Sequence, residues 1–376
     1  MPKDKVLIIS KPLNHKGGVT NYYNLFFKKF NSEVIQLKHH AIGSRTYVYY
    51  YPIIKKILYP IYYIFDVFKY IFLLIFYDKI KIIQVSPSLI PLPLIRDGIL
   101  VIFAKLLGKK VIVFYRGWKL PTLHSIKSKP LLKKIFNNVF QKHTQQVVLA
   151  NAFKNDLEEL YDKQTNTIVV TTTAIDKDEI IYSDKSFVDK DKINVLFLGR
   201  IQDYKGIQEL IKSIIIIYNL NLLDKFKFII AGYEGKKGYI EKLKEILNNN
   251  NIPSKLISFP GKMVGIEKFK LYASSDVYVL PSYTEGCPNS ALEALSSGLF
   301  SITTNVGALN DIINEVNGIL VNVKDEQQIV DALKYVLKNI HVLKNRKNIS
   351  ESSILKFDIT QITKNFDKLY QKLLDN

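Results

Sequence analysis

Residues 281–298 read Pro281-Ser282-Tyr283-Thr284-Glu285-Gly286-Cys287-Pro288-Asn289-Ser290-Ala291-Leu292-Glu293-Ala294-Leu295-Ser296-Ser297-Gly298. They follow the apolar run at 277–280, which predicts a buried strand. They run on into a helix opened by Asn289 and Ser290, rich in Ala and Leu, and closed by Gly298. A strand therefore empties into a loop that faces a helix N-terminus. In open α/β sheets ligands sit at such places, because the orphan amides and the positive end of the helix dipole favour phosphate or hydroxyl oxygens. Glu285 lies in the loop and Glu293 inside the helix. The same residues also carry a plainer reading. Ser290-x-x-Glu293 has the spacing of a capping box, and Glu285 could be a solvated loop residue.

The pattern repeats upstream. Residues 193–199 predict a strand that ends in Gly199 and delivers Arg200 and Lys205 before the next helix, within Arg200-Ile201-Gln202-Asp203-Tyr204-Lys205-Gly206. Cations at a strand-loop-helix junction make an anion cradle, with a solvated loop as the alternative. Further strands are expected at 228–232, 256–261, 301–304 and 318–321, with helices near 240–247 and 326–338.

The N-terminal half shows the same alternation. Apolar runs at 6–9, 34–37, 82–85, 111–114, 147–149 and 168–170 are separated by helical patterns, which predicts a second parallel sheet. Gly17 and Gly18 open the first helix, where paired glycines either admit a ligand to the backbone or simply make a tight turn. Lys16-Gly17-Gly18 is not the dinucleotide fingerprint. Arg116 stands just past the strand at 111–114, either as an anion contact or as a salt-bridged surface arginine. Residues 184–192 are charged and poor in apolar side chains, so they are the expected linker. The expected domains are 1–183 and 193–358, followed by a last helix at 359–376.

On the loop and helix at 281–298 and on Gly199-Arg200…Lys205-Gly206, the chain resembles retaining glycosyltransferases of family 4, of the kind that builds bacterial polysaccharides. That family has the α/β GT-B fold, two Rossmann-like domains with parallel sheets facing across a cleft. The resemblance covers nearly all of 193–337 by specific motifs and 6–170 by general pattern. It implies that Glu285 faces the donor sugar, Glu293 hydrogen-bonds the nucleotide ribose, and Arg200 and Lys205 hold the donor diphosphate. It also implies donor contacts at Gly199, Gly286, Cys287, Pro288, Asn289 and Ser290, nucleobase contacts at Gly261 and Lys262, and a place for Gly17 and Gly18 near the diphosphate and the acceptor. Many relatives have a histidine where this chain has Arg116. A guanidinium could still neutralise a diphosphate but cannot act as a general base. The implied reaction moves a sugar from a UDP- or GDP-linked donor to a saccharide or lipid-linked saccharide, with retention of configuration. No cofactor and no essential metal are expected. A GT-B epimerase or a non-catalytic nucleotide-sugar binder is the alternative.

Composition narrows the partners. The 376 residues suffice for two domains, and their formal charge of +19 attracts nucleic acid, anionic lipid or phosphorylated small molecules. The basic residues are spread along the chain without a nucleic-acid-binding motif, so nucleic acid is not an expected partner. The single cysteine, Cys287, excludes an intramolecular disulfide, and the N-terminus lacks the features of a signal peptide, so a cytoplasmic protein is expected. Residues 47–77 are rich in Tyr, Phe and Ile. Lys55, Lys56, Asp66 and Lys69 interrupt this stretch and Pro52 and Pro60 are expected to break helices, so it falls short of the ~18 uncharged residues of a span. Asp66 and Lys69 share one helical face, and the wide apolar face that remains is expected in the core, with a membrane surface as the alternative. With the basic charge, that face would suit peripheral attachment to an anionic membrane at its cytoplasmic side.

Overall fold

The computed structural model describes residues 3–15, 17–43, 52–161, 167–183 and 192–375. Lys16 and all of the expected linker except Lys192 lie outside these residues. The chain divides into two units, Met1–Thr173 with Ile359–Asn376, and Ala174–Asp358.

In the first unit the chain runs β1 (Asp4–Ser10), α1 (Gly18–Lys29), β2 (Ile35–Ala41), α2 (Pro52–Phe76), β3 (Ile80–Val85), α3 (Pro91–Leu106), β4 (Lys110–Phe114), α4 (Leu120–Lys127), α5 (Pro130–Phe136), β5 (Thr144–Val148), α6 (Asn151–Leu160) and β6 (Ile168–Val170). Among the described residues the strands form one parallel sheet in the order β2-β1-β3-β4-β5-β6. Val6 to Ile9, Ile82, Ile83 and Val111 to Phe114 are buried, because helices cover a parallel sheet on both faces. Strand order reverses between β1 and β3. The loops that leave β1, β3 and β4 carry Gly17, Ser86 and Arg116 respectively.

The α2 helix corrects two expectations. Pro60 lies inside it and does not end it. An internal proline costs about 3 kcal/mol, and a helix of 25 residues anchored by buried Tyr70 and Leu74 outweighs that. The broad apolar face is also not in the core. Phe65, Phe68, Phe72 and Phe76 are exposed, while Asp66 is buried and accepts the backbone N–H of Gly43 at 3.0 Å. The side that packs on the unit is the one carrying Asp66, Tyr70 and Leu74, and Tyr70 donates to the Leu100 carbonyl of α3 at 2.9 Å. The part of the 47–77 stretch before Pro52 lies outside the described residues.

The second unit runs β7 (Ile193–Leu198), α7 (Ile207–Asn219), β8 (Phe226–Ala231), α8 (Tyr239–Asn249), β9 (Ile257–Gly261), α9 (Gly265–Ala273), β10 (Val277–Leu280), α10 (Asn289–Ser296), β11 (Phe300–Thr304), α11 (Leu309–Ile312), β12 (Gly318–Val321), α12 (Glu326–Lys338) and α13 (Arg346–Phe357). Its described strands form a parallel sheet in the order β12-β11-β10-β7-β8-β9, which reverses between β10 and β7. The unit begins at Ala174, earlier than the expected boundary at 183, because Ile175 donates to the Phe357 carbonyl at 3.0 Å and bridges Asp358. The final helix, α14 (Ile359–Asp375), then belongs to the first unit. There Phe366 meets Phe26 edge-on at 5.3 Å, and the Tyr370 hydroxyl donates to Gln84 Oε1 at 2.7 Å.

Candidate active site at the ends of β7 and β10

The point where strand order reverses is where a parallel sheet opens a crevice at the carboxyl ends of its strands. In the second unit, the loops after β7 and β10 meet there at backbone distance. Gly206 has φ +69, and a Cβ built on it would lie 1.8 Å from the Pro281 carbonyl oxygen. Gly307, with φ +55, supports the other side, where a Cβ would lie 2.2 Å from the Glu285 carbonyl oxygen. Both positions require a left-handed residue without a side chain. Further bonds fix the loop: Tyr283 N–H to Tyr204 O at 2.9 Å, Thr304 Oγ1 to Ser282 O at 2.6 Å, and Ala308 N–H to Gly286 O at 2.8 Å.

This frame brings Lys205 and Glu285 together. Lys205 Nζ donates to Glu285 Oε1 at 2.5 Å, and Ser282 Oγ donates to the same oxygen at 2.7 Å. The two side chains are 18% and 9% exposed, so the pair is largely withdrawn from water. Glu285 Oε2 makes no hydrogen bond among the described residues. Arg200 is exposed; its Nε donates to the Tyr233 hydroxyl at 2.7 Å while its Nη groups have no partner among the described residues.

The capping-box reading of Ser290 and Glu293 fails. The N-cap of α10 is Pro288 and no side chain caps the helix. The helix starts at Asn289, which leaves Ser290 inside its first turn, 2.7 Å from the Tyr278 hydroxyl. Glu293 is held from α9 instead: Lys268 Nζ donates to Oε1 at 2.7 Å, and the Tyr272 hydroxyl lies 3.1 Å from Oε2. Burial, reinforced by the Glu293 charge, pushes the Tyr272 phenol well above its usual range, so it stays a donor. Cys287 is buried. Gly199 follows β7, its N–H bonded to the Ala231 carbonyl at 3.1 Å. Gly261 ends β9, with Lys262 exposed beside it, and β8 stands between β9 and β7. Sequence reasoning missed Ser282, Tyr233, Lys268 and Tyr272 as partners. Tyr233 stands two residues past the end of β8 and was readable in principle, whereas the α9 residues reach Glu293 only through the fold.

Gly17, Gly18 and Arg116 belong to the first unit. Gly17 is the N-cap of α1 and offers no side-chain cap. Arg116 is not a surface arginine: it is 9% exposed, and its guanidinium carbon lies 4.0 Å from the Tyr22 ring centroid and 4.7 Å from that of Phe114. Its Nε and Nη1 are sealed from solvent without an acceptor. A buried ion loses several kcal/mol of hydration, and a desolvated cation–π contact returns about 2. The rings alone do not compensate this charge.

Comparison with known proteins follows the division into units. Residues 192–339 match the family model described as glycosyl transferases group 1. An uncharacterized glycosyltransferase of Methanocaldococcus jannaschii is 27% identical over 252 residues, covering 65% of this chain and 62% of that protein. The N,N'-diacetylbacillosaminyl-diphospho-undecaprenol alpha-1,3-N-acetylgalactosaminyltransferase of Campylobacter jejuni is 26% identical over 190 residues, covering 50% and 47%. The chain thus spans less than two thirds of the length of these relatives. Among solved structures, a sucrose-phosphate synthase from Thermosynechococcus elongatus superposes with TM-score 0.74 at 14% identity over 99% of this chain and 100% of that one. Anabaena HepE in complex with UDP does so with TM-score 0.73 at 13% identity over 98% and 100%. At such identities the likeness is one of fold. The chain is therefore a two-domain α/β protein of the GT-B fold whose residues 192–339 match the model of the group 1 glycosyl transferases.

Proposed function

We propose that the protein transfers a sugar from a nucleotide-diphosphate sugar to a saccharide or lipid-linked saccharide acceptor, with retention of configuration. The observation that carries this reading is the Lys205–Glu285 pair, held between the β7 and β10 loops at the start of α10 with Arg200 nearby in sequence. As the bond from sugar to diphosphate lengthens, charge grows on the leaving phosphate, and cations and helix-end amides fixed beforehand stabilise it. Arg200 offers its Nη donors to that anion, and Lys205 keeps two ammonium hydrogens after serving Glu285. Glu285 Oε2 accepts from sugar hydroxyls; the role assigned is orientation, not covalent attack. Glu293 takes the ribose, Gly199, Gly286, Cys287, Pro288, Asn289 and Ser290 border the donor, Gly261 and Lys262 serve the base, and Gly17, Gly18 and Arg116 serve the substrate from the first unit. The scheme uses no metal, so turnover should persist in EDTA. Support also comes from the UDP bound in the Anabaena neighbour and from the undecaprenol-linked acceptor in the name of the Campylobacter relative.

A thermal-shift screen of UDP- and GDP-sugars tests donor binding, since a ligand at ~100 times its dissociation constant stabilises by about 2.7 kcal/mol. Release of free nucleotide is then measured with and without acceptor. Acceptor-dependent release supports a transferase; release or sugar interconversion indifferent to acceptor would favour an epimerase, and neither would leave a binder.

With a lipid-linked acceptor, the proposed place of work is an anionic membrane surface, on the cytoplasmic side. Exposed Phe65, Phe68 and Phe72 of α2, Leu92 and Ile95 of α3, and Leu131 and Ile135 of α5 support this, alongside exposed Lys129 and Lys134. Among the described residues no helix is long and apolar enough to cross a membrane. Vesicle sedimentation should show binding that needs anionic lipid, weakens with salt and falls in F68S/F72S and in K129E/K134E. Equal partitioning to neutral and anionic vesicles, or none to either, would remove this part of the reading.

A further inference from the structure

Two arginines are buried among the described residues, and the fold treats them differently. Arg346, in the second unit, donates through Nη1 to the Ser275 carbonyl at 2.5 Å and lies 3.6 Å from Asp276. The side chain of Arg116 in the first unit has neither a hydrogen-bond acceptor nor a carboxylate partner among the described residues. The rings of Tyr22 and Phe114 pack against its guanidinium. Tyr22 lies one turn into α1, whose start has no side-chain cap, and a Cβ built on Gly17 or Gly18 would meet nothing within 4 Å. The backbone of Arg116 is fixed as well: its N–H is bonded to the Pro87 carbonyl at 3.0 Å, and Gly117 bridges Ser88. A guanidinium with two dry donors, packed on Tyr22 one turn into α1, fits an oxyanion that can accept a pair of hydrogen bonds.

We propose that Arg116 is the receptor for an acidic group on the saccharide substrate, a carboxylate or a phosphate monoester, and that the protein therefore selects an acidic sugar over its neutral counterpart. This rests on the nucleotide-sugar reading, in which the donor diphosphate falls to Arg200 and Lys205 of the second unit. The Arg116 charge is then left for a second anion. That anion is carried either by the donor sugar or by the acceptor, and the chemistry is the same in both cases.

Calorimetric titration of the wild type, R116Q and R116K separates the two sources. The donor arm uses UDP, GDP, UDP-glucose and UDP-glucuronate; the acceptor arm uses glucose, glucuronate and glucose 6-phosphate. Nucleoside diphosphate should bind all three proteins alike. In one arm the wild type should prefer the acidic ligand by about tenfold or more, the scale of a hydrogen bond between charged groups. R116Q should erase that preference and R116K should retain part of it, keeping the charge but losing the fork. Equal affinity for acidic and neutral ligands in both arms overturns the proposal. So does a loss of nucleoside-diphosphate affinity in R116Q as large as its loss for the acidic sugar, because the guanidinium would then serve the diphosphate. If neither UDP nor GDP binds while discrimination among free sugars persists, the nucleotide-sugar reading fails and the acidic-sugar site stands. Ligand-free thermal unfolding guards against a structural role: R116Q removes an uncompensated buried charge, so its Tm should hold or rise. A clear fall would mark Arg116 as a packing residue and overturn the proposal.

Discussion

Lys205 gives one N–H to Glu285 Oε1, so its removal acts in two ways. The leaving phosphate loses a preorganised cation, which costs roughly 100- to 1000-fold in rate, and Glu285 loses a partner, worth roughly 1 to 3 kcal/mol of stability. K205M should show both effects, read as kcat/KM and as denaturant midpoint. R200M should lose rate without losing stability, because Arg200 is exposed and bonded only to Tyr233 among the described residues. Near-normal turnover in both variants would sink the assignment. His39 supplies a pH test of the first unit. Burial, with His40 beside it, lowers its pKa from the usual 6.5 to about 4, while its Nε2 sits 2.9 Å from Ser10 Oγ. The folded pKa is depressed, so the unfolded chain takes the proton first. Stability from a neutral His39 is present above about 6.5 and is lost as pH falls towards 4. H39N should therefore show a shallower decline than wild type over that window in denaturant midpoints; parallel declines would exclude His39 as the cause.

At the scale of elements, the loops matter more than the helices they join. Gly206 and Gly238 are both left-handed, with φ +69 and +80, but only at Gly206 would a Cβ collide with backbone. G238A should cost about 1 to 2 kcal/mol for the left-handed conformation alone. G206A must also push the β10 loop away, so it should cost more and lower activity together with stability. Equal costs would mean that the Gly206–Pro281 approach is not tight in solution. The loop was legible in the sequence because strand, glycine, cation and helix follow one another locally. What held Glu293 was not legible. Spacing suggested Ser290 as a cap, yet Pro288 holds the N-cap position, the helix begins at Asn289, and the carboxylate turns to Lys268 and Tyr272, contacts set by where α9 packs. Apolar periodicity likewise found the α2 helix but placed its phenylalanines in the core, because composition alone does not say which face a neighbouring helix covers.

At the scale of the molecule, the two parallel sheets were readable from the alternation of apolar runs, and the burial of Arg116 was not, since a lone buried arginine leaves no mark in sequence. The exchange at the C-terminus gives the last test. Helix α14 lies far from the rest of the first unit in sequence, yet its Tyr370 hydroxyl donates to Gln84 Oε1 at 2.7 Å, and Gln84 Nε2 in turn donates to the Tyr23 hydroxyl at 3.2 Å. Gln84 is wholly buried in the sheet. Y370F leaves its oxygen short of a partner and should cost about 1 to 3 kcal/mol. F366A removes a ring packed on Phe26 and Phe114 and should cost about 3 to 5 kcal/mol. The chain provides its own reporter, because its single tryptophan, Trp118, sits in the first unit, stacked on Phe153 at 4.4 Å. Unfolding followed by Trp118 fluorescence should shift to lower denaturant in both variants, further in F366A. UDP or GDP binding, assigned to the second unit, should be retained below the new transition. An unchanged Trp118 transition in F366A would mean that α14 does not stabilise the first unit, and loss of nucleotide binding under conditions where Trp118 still reports a folded unit would mean that its influence falls on the second unit instead.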